Sequence, residues 1–177
     1  MLFPQPTKYN TMRVIFLDCD GVLNSNQFFQ QDKEPIPATS NSMKFGVGQL
    51  DPKGLALIDK LVDATDAKIV ISSSWRHIWS FQEIAEMFGD AGFKNQHAII
   101  DQTGTSKNGH RGAEIKEWLD LDRERAALGE EQTTSYVIID DDTDFDTDQM
   151  QFFVRTNQQT GIKPKDVQKA ISILNRA

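Results

Sequence analysis

The chain has 177 residues, 19 of them basic and 26 acidic, for a formal net charge of -7. With 38% hydrophobic and 25% charged residues it holds enough apolar material for one ordinary core, so a single globular domain over residues 1–177 is expected and a disordered chain is not. No stretch of the chain predicts a membrane span, and the start MLFPQPTKYNT predicts no signal peptide. The lone Cys19 rules out a disulfide framework and points to a reducing, cytoplasmic setting. The acid excess disfavours bulk polyanion binding by a basic face, although a metal-bridged phosphate substrate stays compatible with it.

Taken in chain order, residues 1–11 read as a polar, proline-containing lead. The first strong element is Val14-Ile15-Phe16-Leu17, four apolar residues without alternation, which predicts a strand buried on both faces. Residues 24–51 follow as one long irregular stretch containing Pro35, Pro37, Gly46 and Gly48, the usual mark of a lid or binding loop. After Pro52, Leu55, Ile58 and Val62 share a helical face. Ile69-Val70-Ile71 is a second buried strand, followed by a helix on the stripe Phe81, Ile84, Ala85 and Phe88. Ala98-Ile99-Ile100 predicts a third strand, and Ile115, Trp118 and Leu119 a third helix. Val137-Ile138-Ile139 and Phe152-Phe153-Val154 complete five strands, and the last helix, entered through Pro164, carries Val167, Ala170, Ile171 and Leu174. Buried strands alternating with amphipathic helices predict an α/β fold: a parallel sheet covered on both faces, with its ligand site at the carboxyl ends of the strands.

The residues at those ends carry the chemistry. Strand one runs into Asp18-Cys19-Asp20-Gly21, whose two carboxylates, two residues apart, face one spot. Such a pair repels unless a proton or cation intervenes, and its oxygen-only donors suit Mg²⁺; two solvated loop acids are the plainer reading. Strand two runs into Ser72-Ser73-Ser74-Trp75-Arg76, where hydroxyls and N–H groups suit phosphate oxygens but also serve routinely as helix caps. Trp75 reads as a packing residue and Arg76 as a surface partner for an acid. Arg111 opens the third helix, with Lys107 just before it, and either places a cation where it neutralises a phosphate. Strand four runs into six aspartates in nine residues, Asp140 to Asp148. An EF-hand register fails there, because it puts Thr147 at the glycine position and Phe153 at the glutamate position. Asp140 and Asp141 are candidate metal ligands, Asp144 a candidate through solvent, and Asp146 and Asp148 are expected to be solvated. Cys19 points away from the acids and reads as packing. His77, His97 and His110 lack metal-ligand spacing, and neither a dinucleotide fingerprint nor a P-loop is present.

In this order, Phe16-Leu17-Asp18-Cys19-Asp20-Gly21, Ile71-Ser72-Ser73-Ser74, Arg111 and Ile139-Asp140-Asp141 resemble the four motifs of the haloacid dehalogenase (HAD) superfamily, over about residues 13–162. The runs Ile-Ser-Ser-Ser-Trp-Arg, Arg-Gly-Ala-Glu-Ile-Lys-Glu-Trp-Leu and Ile-Ile-Asp-Asp-Asp further resemble the small HAD domains associated with RNA repair proteins. The resemblance implies a Rossmann-like five-stranded parallel sheet in the order 5-4-1-2-3 with a minimal cap drawn from residues 24–51. It implies Asp18 as nucleophile, forming an aspartyl-phosphate, and Asp20 as general acid and then base. Mg²⁺ is expected on Asp18, the backbone carbonyl of Asp20, and Asp140, with Asp141 beside them. Ser72 or Ser73 would bind the phosphoryl oxygens, steadied by Arg111 or alternatively Lys107. The expected activity is a phosphomonoesterase whose substrate is a phosphorylated small molecule or a nucleic-acid end, without extended duplex binding and without a membrane partner. A small cap leaves room for a lid supplied by a partner or a second copy of the chain. Competing readings are a divalent-metal and phosphate-binding module without turnover, and a phosphatase of other small phosphate esters or of proteins.

Overall fold

A computed structural model of the protein describes residues 11–31 and 42–176. Five strands, β1 (Thr11–Leu17), β2 (Lys68–Ile71), β3 (Ile99–Gln102), β4 (Gln132–Asp140) and β5 (Phe153–Arg155), form one parallel sheet in the order β3-β2-β1-β4-β5. This is the α/β, Rossmann-like order expected from the motifs. Alternate residues of the central strands point to opposite faces. Ile15, Leu17, Ile69, Ile71, Val137 and Ile139 lie in one apolar cluster, and Val14, Phe16, Val70 and Ile138 lie in another. Both faces are covered, which is why the strands read as unbroken apolar runs.

The first face is covered by α3 (Pro52–Thr65), α4 (Phe81–Asp90) and α6 (Pro164–Leu174), through side chains such as Leu55, Ile58, Ile84, Phe88, Val167 and Leu174. The second is covered by α5 (Arg111–Ala127), through Ile115 and Trp118, with Phe145 and Phe153 beside them. Phe16 meets Trp118 edge to face at 5.4 Å. Three of these helices start at a side chain that caps them. Asp51 accepts from Lys53 N–H ahead of Pro52. Ser80 and Glu83 form a reciprocal capping box. His110 Nδ1 accepts from Ala113 N–H. These caps satisfy backbone donors that a helix start otherwise leaves open.

The stretch 24–51, expected to be irregular, contains two short helices, α1 (Asn26–Phe29) and α2 (Ser42–Gly48). Ser25 caps α1, and Gly46 of α2 packs against Met87 and Trp79, so tertiary contact organises residues whose own propensity reads as loop. Pro35 and Pro37, with the rest of the expected cap at 32–41, lie outside the described residues, as does most of the polar lead. Thr11, placed in that lead, opens β1 instead, because it pairs with Gln132 of β4. Among the described residues no helix is long and apolar enough to cross a membrane.

Candidate active site

The strand register assembles the site. Leu17 of β1 pairs with Ile71 of β2 on one side and Ile139 of β4 on the other. The residue after each, Asp18, Ser72 and Asp140, therefore stands level with the others at the carboxyl edge of the sheet. The ladder continues one step further there. Asp18 N–H donates to the Ile139 carbonyl at 3.0 Å, and Ser72 N–H donates to the Leu17 carbonyl at 2.8 Å. Gly21 lets the chain turn immediately after β1. It has φ +71°, and a β-carbon there would run into the Asp141 carboxylate, so the sharp turn and the close approach of Asp141 both need glycine.

Asp18 and Asp140 are buried, at 5% and 1% exposure, and Asp141 is half-buried. Oxygens of all three lie within 4.8 Å of one another. Arg111, from the first turn of α5, brings Nη1 to 3.1 Å from Asp18 Oδ1 and 3.1 Å from Asp140 Oδ2, and the same group donates to the Ser72 carbonyl. The Ser73 hydroxyl donates to Asp18. Burial nevertheless pushes the Asp18 carboxyl above its ordinary value. Burial and then the Asp18 charge push Asp140 up to about 7, and burial raises Asp141 as well. Burial opposes the charge on Arg111, but Asp18 and Asp140 hold its pKa above the usual arginine value. One guanidinium thus faces three crowded carboxylates that all favour a proton. An all-oxygen donor set with unmet demand for positive charge fits a hard divalent cation. Cys19, between the two acids in sequence, is fully buried with its thiol pushed well up by burial and then by Asp18, which fits its reading as a packing residue.

Asp20 stands apart from this cluster. It is exposed, its Oδ1 accepts from Asn24 Nδ2 at 2.8 Å, and its Oδ2 accepts from the Trp75 indole at 3.1 Å. Asn24 in turn accepts from Gly21 N–H at 2.9 Å. The second acid is therefore held at the mouth of the site, off the carboxylate triad.

Against known families, residues 14–167 match the model described as the HAD domain in Swiss Army Knife RNA repair proteins. The chain belongs to this HAD family. No curated protein and no solved structure matches it. HAD domains are generally hydrolases and typically depend on a divalent metal, and this chain has an acidic cluster, Asp18, Asp140 and Asp141, that could hold one.

Within the HAD frame the expected site residues fall at different distances from Asp18. Asp140, Asp141, Ser73 and Arg111 gather around it. The two readings of the serines coexist. Ser73 Oγ caps the turn Ser74–His77 by accepting from Trp75 N–H and also meets Asp18, whereas the buried Ser72 Oγ has no partner among the described residues. Lys107 is exposed and lines a separate hollow with His110, Asp144 and Asp146; Arg111 is the cation at the acids. Asp144 accepts from Arg111 N–H at 3.0 Å and meets His110 Nε2 at 3.2 Å, so it fastens the start of α5 and thereby aims Arg111.

Three partnerships were not identified from the sequence. Arg76, read as a surface partner for an acid, does pair with an acid, but a buried one: it meets Glu114 at 2.6 Å, their side chains 6% and 1% exposed. Glu114 also accepts from Ser106 N–H, tying the serine turn, α5 and the loop before α5 together. Trp75 packs on Trp79 as expected, but it also donates to Asp20. His110 serves as the α5 cap. The dipeptide Trp75-Arg76 directly after the serines was the one available cue.

Proposed function

We propose that the chain is a Mg²⁺-dependent phosphomonoesterase that removes a terminal phosphate from a nucleotide or nucleic-acid end. The observation carrying this reading is the buried Asp18 carboxylate at the end of the central strand, held by Arg111 and crowded by Asp140 and Asp141. Asp18 attacks phosphorus, the ester P–O bond breaks, and an aspartyl-phosphate forms. Asp20 gives a proton to the departing alkoxide and then takes one from the water that cleaves the acyl phosphate, releasing inorganic phosphate and free Asp18. Ser72 or Ser73 donates to the phosphoryl oxygens, and Arg111 offsets the charge of carboxylate and phosphate during approach. The Trp75 and Asn24 donors hold Asp20 at the mouth, where a leaving group would exit. Asp18, Asp140, Asp141 and the Asp20 carbonyl would hold Mg²⁺, which when bound supplies charge neutralisation of the phosphoryl group. The family's association with RNA repair supports a nucleic-acid end over other small phosphate esters. A panel of aryl phosphate, mononucleotides and 3′- or 5′-phosphorylated oligonucleotides, with Mg²⁺ and with EDTA, tests this. Turnover that vanishes in Asp18→Asn and in EDTA is expected. Equal phosphate release by wild type and Asp18→Asn would overturn it.

A further inference from the structure

A cavity of ≈ 500 Å³ opens between the end of β5 and the start of α6, and one of its walls is Asp141. Because Asp141 also lies within 4.8 Å of Asp18 and Asp140, the cavity adjoins the carboxylate cluster. Its other walls are polar: Arg155, Lys163 and Lys165 with Thr, Asn and Gln side chains, and no large apolar residue. An acyl chain finds no surface there, whereas an anion does.

The charges are also available. Among the described residues none of the three cations belongs to an ion pair. Arg155 is fixed through Nε, which donates to the Asp141 carbonyl at 3.1 Å, so its Nη groups remain for another acceptor. The second acid on the wall, Asp166, is buried and accepts from Lys163 N–H at 2.9 Å, which caps α6. In a chain of net charge -7, three unpaired cations around one hollow beside Asp141 form a local reversal of sign.

We infer that this cavity receives a second phosphate of the same substrate, the internucleotide phosphodiester next to the terminal phosphate at Asp18. The inference rests on the proposed phosphatase reading for where the first phosphate sits. The second phosphate of a nucleoside bisphosphate offers the same chemistry, so the experiment separates the two sources.

Binding is measured on the full chain as Asp18→Asn with Mg²⁺, using a short single-stranded oligoribonucleotide with a terminal phosphate, a nucleoside bisphosphate and a nucleoside monophosphate. The oligonucleotide should bind about tenfold tighter than the monophosphate, as one charge-assisted phosphate contact allows. Lys163→Gln/Lys165→Gln should erase that advantage and lower the salt slope by about 0.7 for the one phosphate lost. Lys165→Glu, at an exposed position that spares the α6 cap, is the second variant and should weaken oligonucleotide binding further. In otherwise wild-type enzyme, the double variant should cut the oligonucleotide to aryl phosphate ratio of kcat/KM by about tenfold. A bisphosphate that matches the oligonucleotide supports the subsite and assigns it to a phosphate on the same nucleotide. Equal binding of oligonucleotide and monophosphate, or variants that bind like the parent, overturns the inference. Wild type that hydrolyses no phosphate ester while the binding differences persist overturns the phosphatase reading and leaves the anion subsite standing.

Discussion

Replacing Asp140 by Asn removes a buried charge and keeps the shape of the side chain. Burial, then the Asp18 charge, move the Asp140 carboxyl from 3.8 to about 7. A carboxyl raised in the native state contributes stability that is fully present below its unfolded pKa. That contribution is lost as the pH rises toward the native value, because the unfolded chain gives up its proton first. At roughly 1.4 kcal/mol per pH unit, the interval amounts to about 4 kcal/mol. In EDTA, wild type should therefore lose stability relative to Asp140→Asn between about pH 4 and pH 7. A fixed offset from the altered Arg111 contact shifts one curve bodily and leaves this slope untouched. Asp18 titrates together with Asp140, and the substitution relieves the repulsion between them. Urea unfolding of both proteins across that pH range reads the difference directly. Above pH 7, Mg²⁺ should restabilise wild type by about 2.7 kcal/mol at a hundredfold excess over its Kd, and Asp140→Asn by far less. Parallel pH curves for the two proteins, or equal Mg²⁺ shifts, would refute the reasoning.

Glu114→Gln leaves the buried Arg76 guanidinium without its counter-charge; the expected cost is about 3 kcal/mol, and an unchanged urea midpoint would contradict it. Gly21→Ala forces a side chain at φ +71° into the Asp141 carboxylate. It should cost about 1–2 kcal/mol for the left-handed backbone alone and abolish the Mg²⁺-dependent thermal shift, whereas a retained shift would show that Asp141 is not a ligand. Trp75→Phe keeps a ring against Trp79 but deletes the donor to Asp20. We expect kcat to fall by about tenfold with KM little changed, and a change confined to KM would assign Trp75 to substrate contact instead. Burial, and then Asp148, raise the Tyr136 phenol to about 12. Asp148→Ala should therefore lower the phenolate transition in an ultraviolet titration without touching turnover, and a loss of activity would bring Asp148 into the metal site.

The sequence disclosed what one segment carries within itself and concealed what two segments make together. Unbroken apolar runs announced β1, β2 and the end of β4, because a strand buried on both faces has no polar side. The first half of β4, Gln132–Tyr136, gave no such signal. It pairs with Thr11–Val14 at the rim of the sheet, where half-exposed polar residues suffice. The acids at the strand ends were legible for the same local reason: a charge directly after a buried run must stand at the edge. Their partners were not. Trp75 and Asp20 lie 55 residues apart, Arg76 and Glu114 lie 38 apart, and Arg111 and Asp144 lie 33 apart. Only the register joins them. Leu17 opposite both Ile71 and Ile139 sets the serine turn and the aspartate run level with Asp18, and the helix that follows β3 then delivers Arg111 from above. A slip of one residue in either pairing would turn Ser72 or Asp140 to the opposite face of the sheet. The position of Asp18 is thus fixed by the apolar residues behind it as much as by the polar residues around it.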